Sequence, residues 1–345
     1  MNIKFFLIFI SLYVSIYSEV LNSRHFISFI IPCYNCEKTI KETIESIYNQ
    51  KINYPFEVVC TDDHSADRTL WLLRFFEKKY DNLHVVVHEK NLGGGPASNT
   101  CIKHSQGDLL FRLDSDNMLA ENTINRLVEL LDNTGCDGAS VEELRFFFTD
   151  KIKHDSWFYE AKNNICDLFH ILETVADPAS SGNYLFTRES YLRAGGYGDG
   201  HGADTFCFGF KQYATGSRIA VLKNSFYWHR LTPNSYWQRE EAKGTNNIKT
   251  LEIFSEFEEV FSDETRKLLQ ELKKNPRDFS SFLSQRRYTS VSNEALKELF
   301  LGHNLKQKGL FFDALVHFKM ARELGCRSNR LDRIIFTLEN QVVKN

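Results

Sequence analysis

The chain has almost no net charge: 42 Lys and Arg stand against 45 Asp and Glu, a formal balance of -3 over 345 residues. That excludes recruitment of nucleic acid or anionic membrane by an overall field, so any polyanion must be bound by local groups. The chain also lacks an apolar run of the roughly 20 residues that span a bilayer; the nearest approach is Phe5 to Tyr17. No asparagine opens an Asn-x-Ser/Thr triplet, so no N-glycan acceptor reports an address. Among eight cysteines, Cys33 and Cys36 form one Cys-x-x-Cys, and without a second such pair a four-ligand structural zinc is excluded. The other cysteines sit in apolar settings as core filler, and a disulfide is open only in an oxidising compartment. Neither the Gly-x-x-x-x-Gly-Lys phosphate loop nor the dinucleotide fingerprint is present.

What is there is the composition of a folded protein: 42% hydrophobic, 14% aromatic with 29 phenylalanines, and 25% charged. Residues 1–19 read as a secretory signal or short signal-anchor, with Lys4 before the apolar run and the small Ser18 at its end. That reading predicts a body working in the secretory lumen or outside the cytoplasm.

From Phe26 apolar strands alternate with amphipathic helices, the pattern of a mostly parallel sheet with right-handed crossovers. Strands are expected at Phe26–Ile31, Phe56–Cys60, Leu83–Val87 and a run ending at Asp114. The four loops that follow them should share the edge where open α/β sheets bind ligands. Downstream, Trp157–Val175 is expected as helix, Asn183–Thr187 as strand, and Arg218–His229 as a strand pair interrupted at Asn224-Ser225. Leu251–Leu272 is expected as helix before a boundary at Asn275-Pro276. Residues 251–345 form a helical region, and about 294–326 has the small-residue spacing of one tetratricopeptide-like helix pair (Gly302, Gly309, Ala314, Ala321). A single such unit cannot bury its own faces, so it should dock on the body, on a partner or on a second copy.

Each loop on the expected edge has its own chemistry. Pro32, Tyr34 and Asn35 suit a base or ribose, and Asp62 and Asp63 can accept from a nucleobase N–H or a sugar hydroxyl. The glycine-rich stretch from Asn91 through Gly93 to Asn99 opens a helix and can bring backbone N–H groups to an anion. The apolar run Leu109–Leu113, broken by Arg112, stops at Asp114-Ser115-Asp116; strand alternation puts both carboxylates on one side, where a hard cation can hold a diphosphate.

In this order the motifs resemble the family two glycosyltransferases, nucleotide-sugar enzymes of GT-A fold. The matching residues are Ile30-Ile31-Pro32-Cys33-Tyr34-Asn35, Asp62-Asp63 with Ser65 and Asp67, Asn91-Leu92-Gly93 with Ala97 and Asn99, and Gly107-Asp108 leading to Leu113-Asp114-Ser115-Asp116. The resemblance implies a GT-A domain over 24–250: a Rossmann-like, mostly parallel α/β sheet flanked by helices, with the helical region appended. It implies a UDP- or GDP-sugar donor held by Pro32, Tyr34, Asn35, Asp62, Asp63, Asn91, Gly93, Asn99, Asp114 and Ser115. It also implies Mg2+ or Mn2+ on Asp114 and Asp116; His229, at the end of the strand Phe226-Tyr227-Trp228, is a candidate third contact to the metal or to a phosphate, with Arg230 close enough in sequence to share the anion. Asp204 would be the base of an inverting transfer to a glycan, lipid or protein hydroxyl. The chain departs from the pattern where Ala203 replaces an acid, where Ser98 stands in the third loop, and where Phe206, Phe208 and Phe210 interrupt the usual helical pattern after Asp204. A scaffold that keeps the fold and acts through its C-terminal helices is the alternative reading.

Overall fold

A computed structural model describes residues 25–148, 152–159, 161, 163–168, 179–180, 182–232, 235–261, 263–274 and 292–344. Residues 1–19 and the Asn275-Pro276 boundary lie outside the described residues. The first four strands, β1 (Ile27–Cys33), β2 (Phe56–Asp62), β3 (Leu83–Val87) and β4 (Leu109–Arg112), are parallel neighbours. They are joined by α1 (Ile40–Tyr48), α2 (Thr69–Lys79) and α3 (Gly94–Lys103). Alternation along β1 divides the core: Ile27, Phe29 and Ile31 pack with Ile40, Ile44 and Ile47 on one face, while Ile30 packs with Ile102 and Phe208 on the other. Both faces are therefore covered, as a parallel sheet requires.

The remaining strands turn this into a mixed ten-stranded sheet, eight of them in the order β3-β2-β1-β4-β9-β6-β10-β5, with β7 paired to β6 and β8 to β10. They are β5 (Met118–Leu119), β6 (Gly138–Phe147), β7 (Asp155–Phe158), β8 (Ile165–Cys166), β9 (Leu185–Thr187) and β10 (Ile219–Arg230), with α4 (Thr123–Thr134) between β5 and β6. Helix α5 (Arg188–Ala194) follows β9, and α6 (Asp204–Ala214) precedes β10.

Two expectations are corrected here. The helix expected from Trp157 is a strand where described: Asp155–Phe158 pairs antiparallel with β6, a non-local ladder that local periodicity cannot register. The expected strand pair over Arg218–His229 is one strand, β10, which pairs parallel with β6 on both sides of an irregularity between Leu222 and Phe226. Asn224 absorbs the extra length at φ 52°, a left-handed geometry that asparagine tolerates.

The helix expected over Leu251–Leu272 is broken. α7 (Tyr236–Lys243) leads to α8 (Thr245–Glu256), a 3-10 turn at Glu258–Val260, and α9 (Asp263–Lys274). The aromatic repeat that interrupted the pattern after Asp204 lies in an unbroken helix. Phe208 of α6 stacks on Tyr197 while Phe210 faces Phe254, Phe257 and Phe261, so α6 is covered on two sides.

The C-terminal helices α10 (Asn293–Gln307), α11 (Phe311–Glu323) and α12 (Asn329–Lys344) share that core. They dock on the body through Arg193 Nη1 to Asn304 (2.8 Å) and through Arg330 and Ser328 to the buried Glu259 (2.6 and 2.9 Å). Gly302 lets α10 approach α11, since a Cβ there would stand 2.9 Å from the Phe318 ring. Among the described residues no helix is long and apolar enough to cross a membrane.

Candidate active site

The loops after the four parallel strands open on one cleft of about 1540 Å³. Its lining includes Pro32, Tyr34, Asn35, Asp63, Asn91, Gly93, Asp114, Ser115, Asp116, Asp204 and His229. Asp62 and Asn99 of the expected set do not line it.

Asn35, in left-handed backbone at φ 49°, stitches the first two loops: its N–H donates to Ser65 Oγ (3.0 Å) and its Oδ1 accepts from Ala66 N–H (2.8 Å). The two adjacent acids divide their work. Asp62 Oδ2 accepts from Ser65 N–H (3.2 Å), the self-bonded turn aspartate, and its buried Oδ1 has no hydrogen-bond partner among the described residues. Asp63 is saturated, accepting from Leu92 N–H (2.9 Å) and Gly93 N–H (2.8 Å), with His88 Nδ1 at 2.7 Å.

The glycine-rich loop was expected to aim backbone N–H groups at an anion, but two of them are spent on Asp63. Its glycines serve close packing instead. Gly93 holds φ 101°, and a Cβ on it would meet Gly200 O at 2.2 Å; one on Gly95 would meet Gly198 O at 2.4 Å. Asn99 acts as a strap on that same segment, donating to Tyr197 O (3.0 Å) and accepting from Tyr197 N–H (2.9 Å) and the Tyr191 hydroxyl (2.9 Å).

The Asp114/Asp116 pair is not a continuation of β4, as alternation suggested. The ladder ends at Arg112, and a turn closed by Asn117 N–H to Asp114 O (3.1 Å) carries the two acids. Asp114 is held by Arg112 Nη1 (2.6 Å), Asn183 Nδ2 (3.2 Å) and Asn117 Nδ2 (3.3 Å). No side-chain donor of the described residues reaches the Asp116 carboxyl. Burial first, then the charge of Asp114, push it up to about 7, although Arg230 pulls the other way.

Arg230 itself is not free to share an anion. It donates to Asp116 O, Phe148 O and Glu42 and lies over the Phe147 ring at 4.5 Å. His229 lines the cleft half-buried, its pKa lowered by desolvation against the pull of Asp114. Its Nδ1 lies 3.4 Å from Asn117 Nδ2, and its ring meets Phe146 edge-on. Among the described residues no group of three His, Cys, Asp or Glu side chains is gathered to hold a metal by itself.

Asp204 opens α6 after Ala203, which takes left-handed backbone at φ 43° and donates its N–H to Asn246 Oδ1 (2.9 Å). Burial raises the Asp204 carboxyl above the ordinary range; Arg112 counters this and Asp114 adds to it. Arg112 is the residue that sequence reasoning passed over. It joins Asp114 to Asp204, whose Oδ2 lies 3.7 Å from Nη2, and takes Ser98 Oγ at 3.3 Å from Nε. The available signal was a charge inside an apolar strand two residues before the acid pair. The eight cysteines are buried free thiols.

The mixed sheet flanked by helices, with its ligand cleft at the strand ends, is the GT-A glycosyltransferase fold. Residues 28–191 match the Glycosyl transferase family 2 model. Curated relatives include a poly(ribitol-phosphate) beta-glucosyltransferase of Bacillus spizizenii, 36% identical over 29% of this chain and 16% of that protein. Glycosyltransferase AglE of Haloferax volcanii is 34% identical over 34% of this chain and 40% of that protein. The poly(ribitol-phosphate) beta-N-acetylglucosaminyltransferase TarS of Staphylococcus aureus is 35% identical over 32% of this chain and 19% of that protein. The matched part thus spans 40% or less of those relatives' length. Among solved structures, S. aureus TarS 1–349 in complex with UDP-GlcNAc is similar at TM-score 0.53 and 21% identity, covering 92% of this chain and 91% of that one.

Proposed function

We propose that the protein transfers a sugar from a nucleotide-diphosphate sugar to an acceptor hydroxyl with inversion, assisted by Mg2+ or Mn2+. The observation that supports this best is the convergence of Asp114, Asp116 and Asp204 on one cleft whose first two loops carry Tyr34, Asn35 and Asp63. The carboxyl of Asp116, held up near neutrality by burial and by Asp114 and met by no side-chain donor, suits a cation. Asp116 with Asp114 would hold it and leave the rest of its shell to the donor diphosphate. Bound there, a divalent cation would offset the charge building on the leaving nucleoside diphosphate.

Asp204 would take the proton of the acceptor hydroxyl during attack, and a base with a raised pKa suits that task. Tyr34 and Asn35 would order the nucleoside end of the donor. UDP-GlcNAc is the first donor to try, because a structural neighbour of the same fold was solved with it. Residues 1–19, as a secretory signal, would put the transfer on the lumenal or extracytoplasmic side.

The test is the purified protein against a panel of UDP- and GDP-sugars with Mn2+ or Mg2+, reading released diphosphate and labelled acceptor. Turnover that depends on the cation and is lost in Asp116→Ala is the expected result. A blank panel without nucleotide-sugar binding would replace this reading with the scaffold one.

A further inference from the structure

The groups that fix Asp204 and the residue before it come from three parts of the chain. Beneath it lies Arg112, whose side chain is only 4% exposed, so its charge is withdrawn from water and must be answered by protein groups. One guanidinium answers two acids on different loops, 2.6 Å from Asp114 and 3.7 Å from Asp204, and spans to Ser98. Beside it lies Gly94, the first residue of α3. A Cβ there would stand 2.4 Å from Asp204 Oδ2 and 3.5 Å from its Cγ, and outside its own helix turn nothing else lies within 4 Å. The carboxylate therefore occupies the space that a methyl at position 94 would take, against the N-terminal turn of a helix, where negative charge is favoured. On the third side, Ala203 N–H is tied to Asn246.

We infer that Arg112 and Gly94 are positioning residues that hold Asp204 in line with the donor site, an inference that rests on the transferase reading above. Arg112 links the base to the acid that holds the donor, so the two halves of the reaction share one buried cation. Gly94 sets where the base points, for a geometric reason rather than a conformational one: its φ is not left-handed, and alanine is a better helix former at that place.

Gly94→Ala separates this from a merely structural role. The methyl meets only the end of a side chain, so the thermal midpoint should hold or rise, and donor KM should stay within about twofold. A base displaced by about 1 Å should lower kcat for transfer by about 100-fold. Arg112→Lys should keep more kcat than Arg112→Gln. In urea unfolding, Asp204→Asn should rescue Arg112→Gln by about tenfold in the unfolding constant, because it removes the carboxylate left unanswered. Wild-type kcat in Gly94→Ala, or additive behaviour of the Arg112 and Asp204 variants, would overturn the inference. The unfolding cycle needs no turnover, so if the wild type transfers nothing, the transferase reading fails while the cradle is still judged.

Discussion

The two ends of strand β4 carry acids in opposite states. At the start, Asp108 receives His25 Nδ1 at 2.5 Å and Phe26 N–H at 2.7 Å, and His25 Nε2 reaches Asp132 at 3.0 Å. Nearby, the buried Glu57 accepts from the Ser28 hydroxyl (2.7 Å) and Gln106 N–H (2.6 Å). Each of these acids has its donors. At the other end, Asp116 has no side-chain donor and Asp204 shares one arginine with Asp114. A fold that satisfies its acids at one edge and leaves them short of donors at the other marks the second as the place for a ligand.

The sharpest way to break that comparison is to remove one acid at each end. Asp116→Asn should lower transfer by about a thousandfold or more, as loss of a charge-stabilising group does. The same variant should leave thermal stability unchanged or raised, because it relieves a desolvated charge that no side-chain donor meets and that Asp114 opposes. A parallel loss of stability would make Asp116 a structural acid like Asp108.

Asp63 lines the cleft yet resembles the acids at the start of β4, being bonded to two N–H groups and to His88. Asp63→Ala should therefore cost about 3 kcal/mol in chemical denaturation, the scale for orphaning buried donors. A cost near zero would return it to the donor-binding set alone.

The smallest expected effect is at the start of β4 itself. Burial works against a charge on His25, but the bonds to Asp108 and Asp132 outweigh it and raise its pKa. A pKa raised on folding adds stability that is whole below the unfolded value of about 6.5 and fades as pH rises through the folded one. His25→Ala should then be destabilised by about 1 kcal/mol at pH 5.5 and by less at pH 8.5. An equal cost at both would show that folding does not raise the His25 pKa.

The four parallel strands and the loops after them were legible because each is a local pattern: an apolar run, a turn, an amphipathic helix. What misled was non-local. Trp157 sits in a strand because β6 offers a ladder, and the phenylalanines of α6 break amphipathicity because helices far along the chain cover its second face. Asp62 and Asp63 read alike side by side; only the place of Leu92 and Gly93 in space shows which one is spent.

By itself the sequence determined the first four strands with the helices between them, the four loops and the identity of the acids, because hydrophobic period and turn chemistry act over a few residues. Tertiary structure decided which acids are answered and which are not. That depends on donors as distant in sequence as His25 from Asp108, and on the absence of a single methyl at Gly94 beside Asp204. Burial and distance set the charge state of a carboxyl, and neither is a property of a residue's neighbours along the chain.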